Sequence, residues 1–149
     1  MFRLKHSVIR TITHYDTLDG RLAAENRRCK ITEEEFTKVS MSRLFPDGQQ
    51  KELKTRVSNK DATVGILEQL GYFPIAEVKA ERISFEFNDI DVDIDIFPHI
   101  PPFLEIDAPD DMVANVLSSL ALEHLEQFIG GTPEIYSRYG LEYFVENKY

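Results

Sequence analysis

The chain has 149 residues, 42% of them hydrophobic and 29% charged, with a formal net charge of −9. That balance describes one water-soluble globular domain spanning residues 1–149, and its acidity argues against general nucleic-acid or anionic-membrane binding. Cys29 is the only cysteine, which excludes an internal disulfide and a thiolate zinc site; with no apolar run near membrane-span length and no secretory h-region, a cytoplasmic setting is expected.

Ser7–Tyr15 alternates and is rich in β-branched residues, so it is expected to be a strand. Leu18-Asp19-Gly20 breaks it, Arg21–Glu25 reads as a short helix or turn, and Arg27–Ile31 reads as a strand with Arg28 and Lys30 on one face. Phe36–Phe45 and Gln50–Val57 flank Pro46-Asp47-Gly48, a turn signal with glycine at the left-handed position. The polar face of that hairpin carries Lys38, Ser40 and Ser42 on one strand and Glu52, Lys54 and Arg56 on the other. Asn59–Leu70 has the spacing of a helix ending at Gly71.

Ala80–Asp107 is the most patterned stretch. Ile83, Phe85 and Phe87 oppose Arg82, Ser84 and Glu86; Ile90, Val92, Ile94 and Ile96 oppose Asp91, Asp93 and Asp95; Leu104 and Ile106 oppose Glu105 and Asp107. Side chains alternate across a strand, so each segment has an apolar face and a charged one. Asn88-Asp89 fits a two-residue hairpin turn. Asp110–Leu120 predicts an amphipathic helix with two acids at its start, and Leu122–Ile129 either continues it or forms a second piece. Thr132 as N-cap with Pro133 in the first turn opens a last helix bearing Ile135, Tyr136, Tyr139 and Tyr143, weakened at Gly140.

No P-loop, HExxH or nucleophile elbow is present, and His6, His14, His99 and His124 are scattered. What remains is a charged sheet face of both signs. An ordinary solvated face is the plain alternative. A sheet that curls with this face inward would instead line a tunnel in which Arg and Lys hold phosphates and carboxylates hold a hard divalent cation. The expected fold is therefore α+β: a curved antiparallel β-sheet forming an incomplete tunnel-like barrel, with helices packed outside.

The motif order resembles the CYTH superfamily, the triphosphate tunnel proteins that include class IV adenylyl cyclases and thiamine triphosphatases. His14-Tyr15-Asp16-Thr17-Leu18-Asp19-Gly20-Arg21-Leu22 is similar to that family's YYDT-x-DG-x-L segment, and Arg28-Cys29-Lys30 to its strand of alternating basic residues. Ala62–Leu70 with Gly71-Tyr72 resembles its L-G-F helix end, and Pro74–Lys79 through Arg82 its basic strand. Asp95 stands at its D-x-V position and Phe103-Leu104-Glu105-Ile106-Asp107 is similar to F-x-E-I-E. The family's E-x-E-x-K strand is not visible, since Met1–Lys5 offers only Lys5 at a comparable spacing, and Lys54 follows Glu52 where an E-x-E pair is usual.

The resemblance implies a Mg²⁺- or Mn²⁺-dependent enzyme on a triphosphate-containing small molecule, performing phosphoryl or nucleotidyl chemistry in the manner of a class IV adenylyl cyclase or a triphosphatase. It places phosphate contacts on Arg28, Lys30 and Arg82, with Lys38 and Lys54 beside them, and metal ligation on Glu105, Asp107 and Glu52. Asp95 is either a ligand or a group that orients a basic side chain. The missing acidic strand supports an alternative, a catalytically inactive triphosphate- or polyphosphate-binding module or an interaction domain. Open sheet edges left by that strand point to a homodimer.

Overall fold

A computed structural model describes residues 1–149. Seven strands hydrogen-bond in the order β4-β3-β2-β1-β5-β6-β7. They are β1 (Phe2–Asp16), β2 (Arg27–Glu33), β3 (Thr37–Leu44), β4 (Gln50–Arg56), β5 (Phe73–Phe87), β6 (Ile90–Ile96) and β7 (Phe103–Ile106). Five helices accompany them: α1 (Arg21–Ala24), α2 (Lys60–Gln69), α3 (Asp110–Ser119), α4 (Thr132–Arg138) and α5 (Tyr143–Glu146). The class is α+β with an antiparallel sheet, as expected.

The contacts divide the chain into two compact units, Met1–Ile9 with Ala80–Phe128, and Arg10–Lys79 with Ile129–Tyr149. Strands β1 and β5 supply residues to both.

In the first unit, β5, β6 and β7 form a meander in the register Arg82↔Asp95, Ser84↔Asp93 and Asp93↔Glu105. Asn88 (φ 48°) and Asp89 (φ 64°) make the two-residue turn, closed by Phe87↔Ile90. Positive φ at both positions matches the twist of a hairpin, which explains this dipeptide. The start of β1 lies alongside. Arg3 meets Glu86 and Ser7 meets Glu81, so numbers fall on one strand as they rise on the other, the sense of an antiparallel pair. Phe2 stacks on Phe85 at 4.6 Å. Strand β1 thus begins five residues before the expected Ser7, because Phe2, Arg3 and Lys5 each find a partner there. Val92, Phe97, Val116 and Leu117 are buried, the last two from the apolar stripe of α3. Residues beyond Leu120 do not continue that helix.

In the second unit, β1, β2, β3 and β4 are a meander whose one face is apolar. Tyr15, Leu22, Cys29 and Ile31 form its core, packed with Val39, Met41 and with Val64, Leu67 and Tyr72 from α2 and its end. Asn59 caps α2 by accepting the Ala62 N–H at 2.9 Å. Gly48 takes φ +86° in the β3–β4 turn, a conformation costly for any residue with a Cβ.

The expected last helix is two. Gly131 rather than Thr132 is the N-cap, and Gly140 at φ +73° ends the run after Arg138 so that Tyr143 opens α5. The chain then returns to β5: Glu77 N–H donates to Asn147 O, Tyr149 N–H donates to Ile75 O, and Ala76 bridges Lys148. That tether ties the end of the chain, just past α5, to β5 within the second unit.

Candidate functional site

Two charged faces follow from the strand registers, one in each unit. In the first, cations interleave with the carboxylates. Arg82 Nε and Nη2 donate to both oxygens of Asp95, at 2.7 and 2.8 Å; Nη2 also donates to Glu105 at 3.0 Å, and Nη1 lies 3.3 Å from Asp93. Arg3 answers Glu86 at 3.0 Å and Lys5 answers Asp91 at 2.8 Å. The repulsion expected among these acids is thereby relieved.

Asp95 is 1% exposed, and the Arg82 fork answers both of its buried oxygens. Burial pulls the Arg82 guanidinium down, but its hydrogen bond to Asp95 and the charges of Asp95, Glu105 and Asp93 hold it further above its ordinary range. The Glu105 carboxyl is raised, by desolvation first, against the opposing pull of Arg82. Its side chain nevertheless keeps 56% of its surface accessible, so it stays the most approachable acid around Arg82.

In the second unit the register sets out three rows across the polar face. His14, Lys30, Ser40 and Lys54 form one; Arg28, Ser42 and Glu52 the next; Ile12, Thr32, Lys38 and Arg56 the third. Adjacent strands lie about 4.8 Å apart, and alternate residues along a strand about 7 Å apart. Lys30, Lys54 and Arg28 therefore surround Ser40 and Ser42, whose short side chains leave room between long basic ones. Glu52 contacts Lys30 at 3.9 Å and Lys54 at 3.4 Å, and Lys38 bonds Glu34 at 3.0 Å. Ser40 is 5% exposed and its Oγ has no hydrogen-bond partner. A buried hydroxyl left in that condition costs about 1–3 kcal/mol.

Part of this face is roofed by the C-terminal helices, which nothing in the sequence signals. Glu134 accepts from both Nη atoms of Arg28, at 3.2 and 2.5 Å, and also takes the Gly131 N–H at 2.8 Å. Burial raises the Glu134 carboxyl, but the Arg28 bond and charge and the backbone N–H outweigh it and bring it below its ordinary value. A Cβ on Gly131 would stand 3.2 Å from Arg28 Nη1, so the glycine lets the backbone pass close to the guanidinium. His14 shares a 3.0 Å hydrogen bond with the Tyr143 hydroxyl and lies edge-on to Phe144. Burial first, then Lys30 and Arg28, push the imidazole down to about 3, so it is neutral at ordinary pH. Cys29, on the apolar face, is pushed up to about 11 by burial and stays a thiol.

Thus Arg28, Lys30, Lys38 and Lys54 share the polar face of the second unit with Glu52, and Arg82, Asp95 and Glu105 meet in the first, where Asp107 is exposed one residue past β7. No three His, Cys, Asp or Glu side chains are grouped to hold a metal ion. The residues present do not fit Mg²⁺ or Mn²⁺ as placed: Asp93, Asp95 and Glu105 ring a guanidinium, Glu52 lies between two ammonium groups, and Arg3 and Lys5 put positive charge on the first half of β1. Glu134, Tyr143 and Ser40 were not singled out as site residues from sequence.

Among solved structures this backbone has several counterparts. HpAC1 from Hippeastrum, described as a candidate adenylyl cyclase with a dominant triphosphatase activity, aligns over 97% of this chain and 88% of its own with a TM-score of 0.70 at 12% identity. A candidate adenylate cyclase from Vibrio parahaemolyticus aligns over 100% and 80%, TM-score 0.63, at 16% identity. The chain has the fold of the CYTH superfamily. The PH1819 protein of Pyrococcus horikoshii shares this CYTH fold too, over 93% and 88%, TM-score 0.69, at 13% identity. No family model and no curated protein matches the sequence.

Proposed function

We propose that the chain binds a triphosphate-bearing small molecule on the basic face of its second unit. The observation that carries this reading is Ser40, a buried hydroxyl without a partner in the same row as Lys30 and Lys54. A phosphoryl oxygen would accept its hydrogen bond, and the two ammonium groups would offset the phosphate charge. Arg28 in the next row and Lys38, two residues from Ser40 on β3, extend the contacts along a linear chain of phosphates. Glu52, which contacts both Lys30 and Lys54, would give them up to the ligand.

A second reading is favoured by the triphosphatase activity described for HpAC1: metal-dependent phosphoryl or nucleotidyl transfer, cyclising or hydrolysing the same ligand. It requires a carboxylate such as Glu52 or Glu105 to serve a metal ion in place of the cations it now faces.

Titration calorimetry with tripolyphosphate, with and without Mg²⁺, tests both. Binding that needs no metal and weakens about tenfold, worth about 1.4 kcal/mol, in Ser40→Ala supports the first. No heat in either condition overturns it. Product formation from ATP, thiamine triphosphate or tripolyphosphate only when Mn²⁺ or Mg²⁺ is added would establish the second.

A further inference from the structure

We propose that β4 is a homodimer interface, pairing antiparallel with β4 of a second copy about a two-fold axis at Leu53. Strand β4 ends the hydrogen-bonded order, so one side of its backbone has no strand beside it. All seven of its residues are exposed. Unpaired N–H and C=O groups in such a row are a template for another strand.

Leu53 marks where that strand would sit. It lies opposite Met41, which lies opposite Cys29, so its row runs straight into the buried core of the second unit. Yet Leu53 is 80% exposed. A second Leu53 across the axis would continue the apolar row and cover it.

The charges select the occupant and the register. About an axis at Leu53, Glu52 faces Lys54 of the second copy and Lys54 faces its Glu52, while Lys51 faces Thr55 and Gln50 faces Arg56. No like charges oppose one another. An axis two-residue slip away, at Glu52 or at Lys54, would put identical charges face to face. A one-residue slip would turn the apolar row of one copy onto the charged face of the other. Opposite charges across a strand pair stabilise it and like charges directly opposite destabilise it, so one register stands alone. Lysines on an edge usually discourage pairing with arbitrary strands. Here Glu52 between Lys51 and Lys54 turns that protection into self-recognition. This inference is independent of any ligand.

Sedimentation and light scattering on the full chain test it, with circular dichroism to confirm folding. The natural chain is expected at twice 17.2 kDa. E52K and K54E should each run as a monomer, since each opposes like charges, and E52K/K54E should recover the dimer because the pairs are restored in reverse. Leu53→Cys should crosslink to itself under mild oxidation. Ile66→Cys, also exposed but on α2, should not, and native Cys29 is too buried to interfere. A natural chain that stays monomeric at the highest attainable concentration overturns the proposal. So does a dimer indifferent to E52K and K54E whose Leu53→Cys form does not crosslink.

Discussion

Glu134 clasps Arg28 with both carboxylate oxygens, although 106 residues separate them in the chain. An internal carboxylate thus occupies the guanidinium that the CYTH resemblance assigns to phosphate. Glu134→Gln is expected to tighten tripolyphosphate binding several-fold by removing that competitor, while costing about 1–2 kcal/mol of stability for the lost charged hydrogen bond. Calorimetry and urea denaturation read the two effects separately. Because the folded carboxyl is held low, its stabilising contribution is complete above the unfolded value near 4.5 and is lost as pH falls through the folded one. Unchanged affinity in the variant would show that ligand does not contest Arg28.

His14 sets a second acid limit. Its folded value of about 3 lies far below the ordinary 6.5, so between those values the unfolded chain takes up a proton that the folded one refuses. Stability should fall as pH drops below about 6.5 and level off near 3, a loss on the order of 3–5 kcal/mol. A His14→Gln variant should show a flatter profile over that window. Chemical denaturation at a series of pH values measures both slopes, and identical slopes would contradict the assignment.

Arg82 answers the most deeply buried carboxylate, that of Asp95. Removing one partner of such a pair leaves a buried charge uncompensated, so Arg82→Met should destabilise by roughly 3–5 kcal/mol. Arg82→Met combined with Asp95→Leu should recover much of this. The coupling, read from denaturation midpoints in a double-mutant cycle, should vanish only if Asp95 relies on another cation.

Asp89 sits at φ 64°, a conformation that glycine adopts without penalty. Asp89→Gly should therefore stabilise the β5–β6 hairpin by about 0.5–1 kcal/mol. A thermal melt suffices, and a lowered midpoint would mean that the Asp89 side chain contributes more than its backbone strain costs.

Residues a few positions apart were legible without coordinates. The alternation of Ile90–Ile96 yields β6 over the same residues, Asn59 caps α2, and Asn88-Asp89 turns with positive φ. Each depends on local backbone geometry and on which side of an element is apolar, properties a short segment carries by itself. The polar rows holding Arg28, Lys30, Ser40 and Lys54 were legible as faces for the same reason.

Which charge answers which was decided only by tertiary structure. Periodicity put Arg82, Asp93, Asp95 and Glu105 on charged faces, but strand register joined them into one ion-pair cluster. Nothing local brings Glu134 to Arg28 or Tyr143 to His14; the return of the C-terminus to β5 does. Alternation is a property of a few consecutive dihedrals, whereas an ion pair between distant segments depends on every turn that brings them together.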